Sequence, residues 1–395
     1  MQGIWQPAPF AGFGWSQWTL ARPILATEVV LPSDDRQTRR LIRDRCAAAP
    51  GVYGMIDAQG ELIYVGKSRS LRDRLVSYFY DAAANEKGRT IAARAERLVW
   101  EPAAHEFAAL VRELELIRRW RPRFNVQGQP GRRRRKYLCL SDGPAPHVTL
   151  ATLPTAGARA CFGPISGGRQ GQGGVNRLNL FFKLRDCSQD TKFAFADQRE
   201  LFPLSRVAGC LRRELGSCLA PCAAGCTTLE YDRQVGAVLD FLRGQGVPLL
   251  AKLDREMQAA ARARRFEQAA LLRDVWADLR WVHNQLERLR QLRARFSFVY
   301  PLPGHGRQRS WYLIRAGQLA GVIAAPRDAR SARRCLARLA EVYPSAGDAA
   351  PKQSQEDFDV LWLISRWFRE HPAELDATLM PERAAERCEG LLQSR

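Results

Sequence analysis

The chain has 395 residues, a length that predicts two or three domains at roughly 150 residues each. Its 46% hydrophobic and 26% charged residues are ordinary for a globular protein, which excludes wholesale disorder and fibrous structure. The 61 Lys and Arg against 41 Asp and Glu leave a net charge of +20, which favours a polyanionic partner, nucleic acid ahead of an anionic membrane surface.

No window reaches the ~18–20 uninterrupted apolar residues of a spanning helix. The first basic residue, Arg22, comes too late for the charged start of a signal peptide. The expectation is a reducing, cytoplasmic compartment, where the ten Cys serve as thiols or metal ligands rather than disulfides.

Residues 1–33 are rich in Pro and aromatics without a clear period and read as an extension. A helix is predicted from Asp34 to Cys46. Two apolar runs follow, Val52–Ile56 and Leu62–Val65, joined by Asp57-Ala58-Gln59-Gly60, and they read as a β-hairpin. Ser68 or Ser70 can cap the next helix, where Leu71, Leu75 and Phe79 recur every four residues. A further helix is predicted from Glu106 to Trp120, with Phe107, Leu110, Val111, Leu114 and Ile117 on one face. These elements place a compact α/β unit at 34–127. In the stretch 128–186, the Gly-rich segment from Gly163 to Val175 lacks a G-x-G-x-x-G after a strand and reads as a flexible loop, not a dinucleotide site. Helix is predicted across 227–295. Strands at Phe296–Leu302, Trp311–Ile314 and Leu319–Ala325, with a turn at Ala316-Gly317, then give way to helix, Leu361–Phe368 included.

The hairpin carries Tyr53 on its first strand and Tyr64 on its second, with Lys67 just beyond; Arg74 and Tyr78, four apart, share a stripe of the next helix. Lys67, Arg69, Arg72 and Arg74 against Asp73 make this corner strongly positive. Glu106 and Glu113 lie on one flank of the apolar stripe of the 106–120 helix and Glu115 on the other, so periodicity leaves the three carboxylates tied. His105 reads as a cap or surface residue. Residues 112–136 hold ten Lys or Arg against two Glu, including Arg132, Arg133, Arg134, Arg135 and Lys136 in a row, a pattern suited to tracking phosphates.

Together these residues resemble the GIY-YIG nuclease motif, with Val for Ile in each half. The ordered set Pro50-Gly51-Val52-Tyr53, Ile63-Tyr64-Val65-Gly66-Lys67, Leu71-Arg72-Asp73-Arg74-Leu75, Ser77-Tyr78-Phe79 and Pro122-Arg123-Phe124-Asn125 is similar to the N-terminal half of the bacterial excision-repair UvrC family and its shorter Cho-like members. The resemblance implies a metal-dependent DNA endonuclease of nucleotide excision repair and the SOS response, cutting 3′ to a lesion in damaged double-stranded DNA at a single site. Tyr53 and Tyr64 would orient or deprotonate the water, Lys67 would lower a phenol's pKa, and Arg74 and Tyr78 would position the phosphate. Family spacing selects Glu113 as ligand to Mg²⁺ or Mn²⁺, with Asn125 closing the site, and leaves Glu106 and Glu115 as solvated flank charges. Arg69, Arg72 and the 132–136 run would contact DNA.

Five Cys fall between 187 and 226. The spacing of Cys210, Cys218, Cys222 and Cys226 leaves zinc and iron–sulfur both open. By resemblance to the family's cluster-binding linker, Cys187, Cys210, Cys218 and Cys222 would hold a 4Fe–4S cluster, with Zn²⁺ as the alternative and Cys226 spare. Cys46, Cys139, Cys161, Cys335 and Cys388 read as ordinary thiols.

Residues 249–285 are predicted to be helical, with Leu250, Leu253, Met257 and Ala260 on one face; past Arg264-Arg265, Phe266-Glu267-Gln268-Ala269-Ala270-Leu271-Leu272-Arg273-Asp274 resembles the UVR motif that pairs with UvrB. Phe266, Ala270 and Arg273 would make that contact. The resemblance fades near residue 345, and no RNase H-like nuclease is recognised in 296–395. The expected fold class is α/β (α+β): a GIY-YIG domain with a small antiparallel sheet at 34–127, a basic Gly-rich connection at 128–186, a Cys-rich linker at 187–226, a helical region with a UVR-like hairpin at 227–295, and a small α/β region at 296–395. A non-cutting adaptor that binds DNA and UvrB, and a mobile-element-type GIY-YIG nuclease, are the competing readings.

Overall fold

The computed structural model describes residues 9–20, 26–80, 86–125, 135–187, 191, 193–198, 210–304, 308–344 and 355–393. Its described residues divide into two compact units, one drawn from 1–132, 294–350 and 359–395, the other from 133–293 and 351–358. Among them, no helix is long and apolar enough to cross a membrane.

The first unit opens with β1 (Thr27–Val30), α1 (Asp35–Arg45), β2 (Gly51–Ile56), β3 (Leu62–Ser68), α2 (Leu71–Ser77), α3 (Glu86–Ala92), β4 (Arg97–Pro102) and α4 (Glu106–Trp120). The strands form one antiparallel sheet in the order β1-β4-β2-β3. All six residues of β2 are buried because the sheet is covered on both faces. Alternation along β2 sorts its side chains accordingly. Tyr53 and Met55 join Ile42 of α1, Leu71 and Leu75 of α2 and Trp100 on one face. Val52 and Ile56 join Val65, Val99 and the α4 residues Ala109, Leu116 and Ile117 on the other.

The β2–β3 turn is built as its residues dictate. The Asp57 carboxylate accepts from the backbone N–H groups of Gln59 (3.1 Å) and Glu61 (2.9 Å), and Gly60 takes a positive φ of 77°.

The 1–33 stretch is not merely an extension. Phe10 and Phe13 are buried in the α4-side core and β1 pairs with β4, so the domain starts before residue 34. Strand β4 was also invisible in the sequence, because Leu98-Val99-Trp100 is too short an apolar run to show a period.

The second unit holds β5 (Arg135–Leu140), β6 (Val148–Ala151), β7 (Ala160–Ser166), α5 (Arg169–Phe181), α6 (Leu211–Glu214), α7 (Thr228–Asp240), α8 (Val247–Arg262) and α9 (Phe266–Arg295). Its sheet runs β6-β5-β7. The core joins Leu138 and Leu140 of the sheet to Val175, Leu178, Tyr231, Val235, Leu253, Leu279 and Val282 of the helices.

Two expectations fail here. The Gly-rich segment is largely helix: a Cβ on Gly171 would stand 2.8 Å from the Ser166 carbonyl oxygen, and one on Gly174 2.7 Å from Val282. Tertiary packing at these positions overrides low helix propensity. Cys139 and Cys161 are not separate thiols either. They are register partners on β5 and β7 and form a disulfide.

The chain then returns to the first unit with β8 (Phe298–Pro303), β9 (Arg309–Arg315), β10 (Gln318–Ala324), α10 (Ala329–Val342), α11 (Gln355–Glu370), α12 (Pro372–Asp376) and α13 (Pro381–Gln393). Ala316 and Gly317, both at positive φ, make the β9–β10 turn. These elements do not form a unit of their own. Phe107 of α4 lies edge-on to Tyr300 (5.2 Å), Tyr312 (5.4 Å) and Trp367 (5.6 Å), a cage of aromatic contacts that binds the C-terminal region to the first domain.

Candidate active site

The site gathers on β3, the edge strand of the first sheet. In the β2–β3 register Tyr53 faces Gly66, and Tyr64 faces Met55, so both phenols lie on the α1–α2 face. Gly66 is required there: a Cβ would sit 2.5 Å from the Tyr53 ring and hydroxyl. Helix α2 brings Tyr78, just past its end, and Arg74 to the same place. The Tyr53 and Tyr78 hydroxyls are 2.8 Å apart, and Tyr64 also bonds to Tyr78. Arg74 donates from Nε to Tyr53 (3.3 Å) and from a terminal nitrogen to Tyr78 (3.2 Å), and stacks over the Tyr78 ring at 4.8 Å.

Burial, then the neighbouring phenols, push the Tyr53 hydroxyl well above its ordinary range, while Arg74 pulls the other way. Tyr64 is raised by burial, by Tyr78 and by the charge of Glu113. These two phenols therefore keep their protons at neutral pH in the metal-free protein.

Glu113 enters from α4. Its half-buried carboxylate accepts the Lys67 backbone N–H; burial pushes it up to about 7, against the lowering effect of Lys67. Lys67 is paired in register with Val52, hence on the α4 face, across the sheet from the phenols. It acts on Glu113, and the cation that acts on the phenols is Arg74. The expected lowering of a phenol's pKa by Lys67 is not what this geometry produces.

Asn125 is buried and its amide is fully used by β3: Oδ1 accepts from the Val65 N–H (2.9 Å) and Nδ2 donates to the Val65 carbonyl (2.8 Å). It covers the free edge of β3 there. Arg123, two residues earlier, pairs with Asp57 of the hairpin turn at 2.7 Å.

Two expectations about charged residues change. Glu106 and Glu115 are not solvated: Glu106 bridges Lys67 (2.7 Å) and Arg69 (2.5 Å), and Glu115 pairs with Arg112 (2.8 Å). Arg72 is half-buried and donates to the Cys46 carbonyl at 2.7 Å, tying α2 to the end of α1. His105 caps α4, its Nδ1 accepting the Phe107 N–H at 3.1 Å. Arg132, Arg133 and Arg134 and the Arg135 side chain lie outside the described residues; Lys136 donates to Thr152 at 2.7 Å. The signal for Glu106 was its position at the first turn of α4, where Lys67 and Arg69 arrive from β3, a juxtaposition that periodicity cannot show.

In the second unit, Cys187, Cys210, Cys218, Cys222 and Cys226 are free thiols, and Cys218 and Cys226 are buried. Burial first, together with the charges of Cys187, Cys222 and Cys210, pushes Cys218 up to about 11. Cys226 sits in the apolar core of this unit. Among the described residues no three His, Cys, Asp or Glu side chains converge around a single metal ion, so the expected four-Cys ligand set is not assembled in that form. Phe266 is 68% exposed, Ala270 is half-buried and Arg273 is exposed beside Asp274, all at the start of α9 after a break with Arg264 at positive φ.

A profile of the UvrC-like GIY-YIG domain matches residues 49–126. The UvrABC system protein C of Alcanivorax borkumensis is 32% identical over 240 residues, which cover 61% of this chain and 38% of the relative. That of Stenotrophomonas maltophilia strain K279a is 33% identical over 254 residues, 64% of this chain and 39% of the relative. The chain thus spans about two fifths of the length of these curated relatives. Among solved structures, the magnesium-bound GIY-YIG N-terminal endonuclease domain of Thermotoga maritima UvrC is 34% identical, with 22% of this chain and 97% of that chain covered at a TM-score of 0.20. Residues 49–126 thus match a UvrC-like GIY-YIG domain, and over some 240 residues the chain is similar to UvrC proteins.

Proposed function

We propose that the chain is a metal-dependent DNA endonuclease of nucleotide excision repair, hydrolysing a phosphodiester 3′ to a lesion from one GIY-YIG site. The observation that carries this reading is the convergence of Tyr53, Tyr64, Tyr78 and Arg74 on one face of β3 with Glu113 at its edge, inside a domain matched by the UvrC-like profile.

The donor set suits a hard divalent cation such as Mg²⁺ or Mn²⁺: one carboxylate in an environment that disfavours its uncompensated charge. Glu113 would hold such a cation, and the bound ion would supply Lewis-acid stabilisation of the developing charge on phosphorus-bound oxygens. The side chains do the rest. Arg74, anchored on two phenol oxygens, holds a guanidinium toward the phosphate. The linked hydroxyls of Tyr53, Tyr78 and Tyr64 orient the attacking water, and a phenol gives up its proton only when positive charge comes close enough to offset its burial.

The net charge of +20 supplies affinity for any duplex without sequence information. Damage selectivity then comes from a partner, and the α8–α9 hairpin, with Phe266 and Leu271 about two-thirds exposed, is the docking element we assign to UvrB. The thiols of Cys187, Cys210, Cys218 and Cys222 are the residues we assign to a 4Fe–4S cluster, which would take one thiolate from each of them.

The test is to incubate the purified protein and Mg²⁺ with a duplex carrying one defined lesion, with and without UvrB, and to map the cuts. A single incision 3′ to the lesion is expected. DNA binding and UvrB capture with no incision would favour the adaptor reading.

A further inference from the structure

The nuclease reading leaves out an ionic and aromatic network that joins Glu106 to the C-terminal region. Glu106 is the first residue of α4 and its side chain is 15% exposed. One carboxylate oxygen takes Lys67 Nζ at 2.7 Å and the other takes Arg69 Nε at 2.5 Å, so a single acid neutralises two cations at the end of β3. Burial opposes its charge, but Lys67 and Arg69 outweigh that and hold the carboxyl below its ordinary range. The backbone N–H of that same Lys67 bonds Glu113, and its charge bears on Glu113.

The α11–α12 corner grips this point from the other side. Arg69 reaches His371 Nε2 at 3.5 Å, and His105, the residue before Glu106, reaches Glu374 at 3.8 Å. Glu374 in turn accepts from Tyr300 and from Trp367 Nε1 (3.1 Å), while Trp367 stacks on His371 at 3.8 Å. Tyr300 and Trp367 also close on Phe107, the residue after Glu106.

We propose that Glu106 is a positioning residue of the nuclease site, fixing Lys67 beside Glu113 and withholding Lys67 and Arg69 from indiscriminate phosphate contact, and that the α11–α12 corner holds it in place. The proposal gives the residues after 345 a role in the site. It rests on the nuclease reading. A bridging carboxylate between two long, flexible cations restricts both, and loss of an outer partner of this kind costs about 10–100-fold in activity at metal sites. Glu106→Gln keeps the size and a hydrogen-bond acceptor but frees both charges.

The experiment measures single-turnover incision of a lesion-bearing duplex in Mg²⁺ by wild type, Glu106→Gln, Glu106→Asp and His371→Ala. Affinity for undamaged duplex is measured alongside by fluorescence anisotropy. Glu106→Gln is expected to lose about 10–100-fold in rate while binding duplex at least as tightly as wild type. Glu106→Asp should recover part of the rate, because the charge is restored on a shorter arm. His371→Ala should lose a few-fold, acting through Arg69. A general loss of folding would instead weaken rate and binding together, and the Asp variant would not rescue. If wild type cuts and Glu106→Gln cuts equally fast, or if the Gln variant loses DNA affinity in step with rate, Glu106 does not position the site. If wild type itself makes no incision, the nuclease reading fails first.

Discussion

Replacing Glu113 by Gln should stabilise the metal-free protein, and only above a definite pH. The Glu113 carboxyl is pushed up to about 7 from its ordinary 4.5 because burial disfavours its charge. The folded state therefore holds this proton more tightly than the unfolded state does. Stability from that source is fully present below pH 4.5, declines as pH rises toward 7, and is gone above it. A rise of this size corresponds to at most about 3–4 kcal/mol at 1.36 kcal/mol per pKa unit. Glutamine has no charge to bury, and its amide oxygen can still accept the Lys67 N–H. Urea melts in a chelator at pH 5 and pH 8 decide the matter: Glu113→Gln and wild type should nearly coincide at pH 5, with the variant more stable at pH 8. Added Mg²⁺ should then raise wild type at pH 8 and leave the variant unmoved, since ligand binding stabilises only the state that binds it. A stability difference that is the same at both pH values would refute the reasoning.

Three further outcomes follow from packing and chemistry. Gly66→Ala drives a methyl to 2.5 Å from the Tyr53 ring, so a loss of about 1–3 kcal/mol by denaturation and a strong loss of incision are expected together. Asn125→Ala leaves both Val65 backbone groups unpaired on a buried edge at about 1–3 kcal/mol each, which hydrogen exchange at Val65 will show as lost protection. Anaerobically prepared protein should be brown with about four irons per chain, and Cys218→Ala should bleach it whereas Cys226→Ala should not; stoichiometric zinc without iron in that preparation would replace the cluster.

Much of the site was legible because it rests on local patterns. The Asp57–Gly60 turn fixes the hairpin, and the four-residue step from Arg74 to Tyr78 puts both at one end of α2, whereas periodicity left Glu113 tied with Glu106 and Glu115 and only the family resemblance singled it out. What escaped depends on contacts between distant segments. Glu106 looked solvated because nothing along the chain shows Lys67 and Arg69 arriving beside it. The glycines around 171–174 looked like a loop because their partners, Ser166 and Val282, are set by tertiary packing. Lys67 looked like a neighbour of the tyrosines because it lies three residues after Tyr64. That odd step turns it to the opposite face of the strand.

The claim that Glu113 and the tyrosine cluster form a hydrolytic site is tested most directly by single-turnover incision of a duplex with one defined lesion, in Mg²⁺, by wild type and Glu113→Gln. Duplex affinity is measured on the same samples. Glu113→Gln should abolish incision and leave affinity nearly unchanged, because it removes a metal ligand and no phosphate contact. Incision by Glu113→Gln at the wild-type rate would contradict the assignment of the site.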